Sequence, residues 1–122
     1  MQTILVVEDD QSIADIVSDI LIDVGHRVIT ASNGREALAR LQSEHPNLII
    51  SDVMMPVMDG RELCQRLHAH PQHSAIPIVL VSAVYNAREL VDCKHVAFIK
   101  KPFDVEELIG TVSATLGEGS AL

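Results

Sequence analysis

"LIISDVMMPVMDG", residues 48–60, decides how this chain is read. An aliphatic run climbs to one acid, Asp52, and then breaks into methionines, Pro56, Asp59 and Gly60. A continuous aliphatic run of this length is the pattern of a strand buried on both faces. The Pro, Asp and Gly that follow are turn residues leading into a further element. A carboxylate at the end of a core strand must be desolvated, which costs free energy unless it is partnered. Asp52 is therefore the first candidate for function, and the rest of the sequence is read for what could gather around it.

Four more short runs have strand length and β-branched content: "ILVV" (4–7), "RVITA" (27–31), "IPIVLVS" (76–82) and "VAFI" (96–99), with "NLIIS" (47–51) as the third in order. Helical spacing fills the gaps. Residues 12–24 place Ile13, Ile16, Val17, Ile20, Leu21 and Val24 on one side, with Gly25 as the C-terminal stop. Further helices are predicted over 34–43, over 60–69, around 86–92, and over 104–116 with Asp104 as N-cap. Strands alternating with helices predict an α/β fold, a parallel sheet covered on both faces. The chain reads as one domain over residues 1–118, with 119–122 as a frayed tail.

Composition narrows the function. The chain has 17 acids against 9 bases, a net charge of −8, which argues against direct nucleic-acid binding because phosphates demand clustered Lys and Arg. No run approaches the roughly 18 apolar residues of a membrane span, and no signal segment precedes the first strand, so a soluble, cytoplasmic protein without a membrane partner is expected. Cys64 and Cys93 form no CxxC or zinc spacing and read as two reduced thiols. His68, His70 and His73 cluster beside Pro71 without a carboxylate or Cys at ligand spacing, and read as a helix end.

In an open α/β sheet, ligands bind beyond the carboxyl ends of the strands. Past the first run stand Glu8, Asp9 and Asp10; past the third, Asp52; the fourth ends at Ser82; the fifth is followed by Lys100 and Lys101 before Pro102. Acids held this close repel one another unless a cation is present. Mg²⁺ is the natural one, since it takes one or two carboxylates and leaves room for phosphate oxygens. Lysine and a hydroxyl suit the remaining oxygens of a phosphoryl group, and an Asp carboxylate can itself become an acyl phosphate. A metal-assisted phosphoryl site centred on Asp52 follows.

The blocks "VVEDD", "DVMMPVMDG", "VLVSA" and "KKPF", in this order and spacing, resemble the receiver domain of two-component response regulators, the CheY-like family. The resemblance covers essentially the whole chain. It implies a doubly wound, flavodoxin-like sheet of five parallel strands in order 2-1-3-4-5 flanked by five helices. It implies that Asp52 accepts a phosphoryl group from the phosphohistidine of a sensor histidine kinase or phosphotransfer protein. Glu8, Asp9, Asp52 and the Met54 carbonyl would hold Mg²⁺, Lys101 would contact the phosphoryl group after a cis Lys-Pro bond, and Ser82 and Phe98 would be the switch pair. Such a domain assists only its own phosphorylation and dephosphorylation, so it is a signalling protein and not a conventional enzyme. Its readers would be a downstream output protein or domain not in this chain, with a homodimer a further assembly.

Two departures from the family pattern carry expectations. The segment between Ser82 and Lys101 is short, which implies an abbreviated fourth helix. Met54 and Val84 are apolar where the family places residues that govern water access, so slow self-dephosphorylation is expected. The alternative function is a receiver-like interaction module that works without phosphorylation, although such a module would be expected to have lost an acid or the lysine. A haloacid-dehalogenase-type phosphatase would carry a second acid where Met54 stands, and no P-loop motif is present.

Overall fold

The computed structural model describes residues 2–90 and 97–117. Five strands, β1 (Thr3–Val7), β2 (Arg27–Ala31), β3 (Leu48–Asp52), β4 (Ile78–Ser82) and β5 (Ala97–Lys100), form one parallel sheet in the order β2-β1-β3-β4-β5. Four α-helices, α1 (Gln11–Asp23), α2 (Gly34–Arg40), α3 (Gly60–Ala69) and α4 (Val105–Leu116), cover it. The order reverses between β1 and β3, which pair with Val7 opposite Ser51, so the carboxyl ends of these two strands lie side by side. That reversal is the point at which such sheets open a crevice for ligands.

Strand alternation divides the core in two. Leu5, Val7, Ile49 and Leu80 point to the face covered by α2 and α3, where they meet Ala37, Leu41, Leu63, Cys64 and Leu67. Ile4, Val6, Ile50, Val79 and Ile99 point to the other, where Val17 and Leu21 of α1 and Leu108 and Val112 of α4 close over them. Truncating a fully buried member such as Leu63 to Ala should cost about 2–5 kcal/mol, from lost transfer energy and the cavity left behind.

Side chains fix the helix starts. Asp10 caps α1, accepting from the amides of Ser12 at 3.0 Å and Ile13 at 3.3 Å. Asp59 caps α3 through Glu62 N–H at 2.9 Å, and Asp104 caps α4 through Glu107 N–H at 2.7 Å. At the far end of α1, Gly25 takes φ +101°, the left-handed conformation of a C-terminal stop.

Two expectations need correction. Five helices were expected, whereas the described residues hold four and a single 3₁₀ turn, Ala87–Leu90, after β4. Leu90 of that turn is buried in the core, and Asn86 and Glu89 close it by exchanging backbone-to-side-chain hydrogen bonds at 3.1 and 3.2 Å. Residues 91 and 92 of the expected helix, Val96 at the start of the fifth run, Cys93 and the tail from 119 lie outside the described residues. Secondly, Cys64 is disulfide-bonded, where spacing alone pointed to reduced thiols; local spacing rules do not register pairing across a fold.

Candidate phosphoryl and metal site

The carboxyl edge of β1 and β3 supplies the acids. Glu8 and Asp52 are 8% and 9% exposed, so both carboxylates sit largely out of water. Asp9, between Glu8 and the helix cap Asp10, is exposed. One carboxylate oxygen from each of Glu8, Asp9 and Asp52 lies within 4.8 Å of the others, a set of hard oxygen donors that suits Mg²⁺. Asp52 is the last residue of β3 itself, so the sheet's own hydrogen bonds fix its position.

Lys101 reaches this cluster from the end of β5. Its ammonium donates to Glu8 Oε1 at 3.0 Å and to Asp52 Oδ2 at 3.1 Å, bridging the two buried acids. The Lys101–Pro102 peptide is cis, as the resemblance implied. Burial is the main influence on Glu8, raising its pKa to about 7. Asp52 adds to the rise, while the Asp10 amide and Lys101 act against it. Burial would lower Lys101, but its hydrogen bonds and charge pairing with Glu8 and Asp52 outweigh that and hold it above the usual lysine range. The site thus carries more negative charge than one lysine balances, and a second cation has a place there.

The loop from Val53 to Asp59 folds back beside Asp52 through two close approaches. Gly60 N–H donates to Val53 O at 2.9 Å, and a side chain there would collide with the Asp52 carbonyl. Gly34 N–H donates to Met58 O at 3.0 Å, and a Cβ at Gly34 would lie 2.8 Å from Met58 Cγ. Val57 at the loop's tip takes φ +69°, a conformation that a β-branched residue adopts only under strain. Met54 and Val84 are both exposed.

Of the residues singled out from sequence, Glu8, Asp9, Asp52 and Lys101 converge. Ser82 stands one position beyond Val81, the register partner of Asp52, but its hydroxyl is turned to its own loop, accepting from the amides of Val84 at 3.1 Å and Tyr85 at 2.9 Å. Phe98 is half-buried against the α2–α3 side of the core. Sequence reading named Lys100 beside Lys101 but not its role, in which the ammonium donates to the Tyr85 carbonyl at 3.1 Å, and it missed Arg61, whose guanidinium lies 5.7 Å from the centre of the Tyr85 ring. The signal available for Lys100 was strand alternation, which sends neighbouring lysines to opposite faces.

Comparison with known proteins agrees with this geometry. The model of the response regulator receiver domain matches residues 4–113. The "Probable transcriptional regulator ycf27" of Cyanophora paradoxa is 38% identical over 116 residues, covering 93% of this chain and 47% of that protein. The chain thus spans about half the length of the curated relatives it matches first. Among solved structures, the signal receiver domain of a histidine kinase from Syntrophus aciditrophicus superposes with a TM-score of 0.89 at 35% identity, covering 100% of this chain and 95% of that one. The receiver domain of a sensor histidine kinase from Pseudomonas aeruginosa, with a magnesium ion coordinated in its active site cleft, gives 0.87 at 25% identity and covers 95% of this chain and 98% of that one. With four sequence blocks, the sheet order and the acid cluster in agreement, the chain belongs to the response regulator receiver domain family.

Proposed function

We propose that Asp52 is the phosphoacceptor of this receiver domain, and that Glu8, Asp9, Asp52 and the Met54 carbonyl hold Mg²⁺. The observation that carries this reading is the bridge of Lys101 between Glu8 and Asp52, with Asp9 in reach of both. The donor is a phosphoimidazole, the phosphohistidine of a histidine kinase or phosphotransfer protein. An Asp52 carboxylate oxygen attacks phosphorus, and the P–O bond forms as the P–N bond breaks. The electron pair stays on the imidazole nitrogen, which takes up a proton. Bound Mg²⁺ supplies positive charge to the carboxylates and the phosphoryl oxygens.

The chain's own residues do the rest. β3 holds Asp52 with its carboxylate at the sheet edge, so little ordering remains to be done at the moment of transfer. Lys101 keeps a fixed ammonium beside the incoming oxygens and compensates the roughly −1.5 to −2 charges that an acyl phosphate adds. Ser82 turns its proton toward the phosphoryl group, Phe98 moves with it, and an output protein or domain outside this chain reads the change. The domain acts only on its own phosphate and turns over no external substrate. Among the described residues no helix is long and apolar enough to cross a membrane, and we place the protein's work in the cytoplasm.

The test is incubation of the chain with Mg²⁺ and a small acyl phosphate, followed by intact mass. One acid-stable, base-labile phosphate is expected, absent from Asp52→Asn. No adduct, or one that survives in Asp52→Asn, would favour the phosphorylation-independent interaction module.

A further inference from the structure

Both backbone polar groups of one loop residue are tied down beside the switch. The Tyr85 N–H is held by Ser82 Oγ at 2.9 Å, and the Tyr85 carbonyl by the Lys100 ammonium at 3.1 Å. The ring packs against the α2–α3 core cluster with the Arg61 guanidinium 5.7 Å from its centre, within range of a cation–π attraction. Three elements thus converge on Tyr85: α3 through Arg61, β4 through Ser82 and β5 through Lys100. Lys100 is two residues beyond Phe98 on the same strand face, and Phe98 packs on the same cluster as Tyr85.

The Ser82 hydroxyl accepts from two amides, Val84 and Tyr85, and has a single proton to give. Rotating the whole side chain to aim that proton at a group on Asp52 carries the oxygen away from these amides, and the loop must then find other partners. We propose that Lys100 and Arg61 are positioning residues that latch this loop through Tyr85, and so set how readily Ser82 leaves it. The latch is separate from the acid cluster: Lys101 neutralises the carboxylates, while Lys100 holds the element that Ser82 must release. It rests on Asp52 as phosphoacceptor for its use in signalling, but the latch exists before any phosphate is added.

Tyr85 is the chain's one tyrosine and there is no tryptophan, so intrinsic tyrosine emission reports on this residue alone. The experiment uses the whole 122-residue chain in two arms. In the unphosphorylated chain, Lys100→Met and Arg61→Gln should each raise acrylamide quenching of Tyr85, whereas Lys100→Arg, which keeps a cationic donor, should not. In the second arm, Mg²⁺ and acetyl phosphate are added, intact mass reads occupancy and emission reads the loop. Emission should change in step with the adduct, and Lys100→Met should raise the initial phosphorylation rate by about threefold, the worth of one exposed hydrogen bond. Equal quenching in Lys100→Met, Lys100→Arg and the parent chain overturns the latch. So does full occupancy with unchanged emission. If no adduct forms, the Asp52 reading fails, and the quenching arm still decides the latch.

Discussion

Lys100 and Lys101 are neighbours in sequence and serve opposite faces of the sheet. Lys101 turns to two carboxylates that are largely out of water, and is itself 19% exposed. Lys100, exposed, turns to a loop carbonyl. The first environment makes charge expensive and hence strongly coupled; the second is open to water and worth little per contact. On the proposed reading, the difference separates the phosphoacceptor site at Asp52 from the loop that responds to it, with one strand end feeding both.

The largest way to break this comparison is to remove the buried cation. Lys101→Met leaves Glu8 and Asp52 facing each other without compensation and should cost about 2–4 kcal/mol of stability near pH 8, read from urea unfolding, as well as phosphoryl transfer. Lys100→Met should change stability by less than about 1 kcal/mol. Equal losses would mean that the two lysines do not differ as their surroundings imply.

Proton linkage sharpens the same contrast. Burial first, and Asp52 with it, lift the folded pKa of Glu8 to about 7 from the ordinary 4.5. Between these values the folded chain holds a proton that the unfolded chain has released, so stability without metal is full below about pH 4.5 and falls as pH rises to about 7. A loss on the order of 1–3 kcal/mol is expected across that window, and millimolar Mg²⁺ at pH 7.5 should reverse part of it. Thermal unfolding with EDTA and with Mg²⁺ at several pH values checks both. A metal-free stability that rises over the window would contradict the placement of Glu8.

Two residues close in sequence to Asp52 and Ser82 give a smaller effect. Met54 and Val84 are exposed apolar side chains with no group to orient an attacking water. The acyl phosphate should outlive that of the double variant Met54→Asn, Val84→Glu by about tenfold, a difference of roughly 1.4 kcal/mol in barrier. Decay of the intact-mass adduct after donor removal measures it. The smallest effect concerns Val57, whose φ of +69° suits Asn far better than a β-branched residue. Val57→Asn should gain about 1 kcal/mol in urea unfolding while leaving Asp52 and Lys101 in place.

Much of this was legible from sequence because the signals are local. The five aliphatic runs became the five strands within about two residues at each end. Asp104 proved to be the cap of α4 and Gly25 the stop after α1, because capping chemistry is written within one turn. Of the three successive acids after β1, Asp10 is the one taken by capping, which leaves Glu8 and Asp9 for the site. The short segment after β4 also announced an abbreviated fourth helix, and among the described residues it holds the 3₁₀ turn Ala87–Leu90. What depended on distant partners was not legible. Nor does the sequence show that Tyr85 is gripped by residues from α3 and β5, since neither Arg61 nor Lys100 lies within one turn of it. The strained Val57 shows in no pattern, because valine is the residue a propensity rule would place elsewhere.

The central claim is that one carboxylate, Asp52, carries the phosphoryl group, and its most direct test locates that group covalently. The chain is loaded with Mg²⁺ and acetyl phosphate and reduced with borohydride, which converts an aspartyl phosphate to homoserine, and its peptides are mapped by mass. The account predicts homoserine at position 52 alone, in proportion to the phosphate lost. Reduction at position 9, 10 or 59 in its place, or none at full phosphate occupancy, would contradict it.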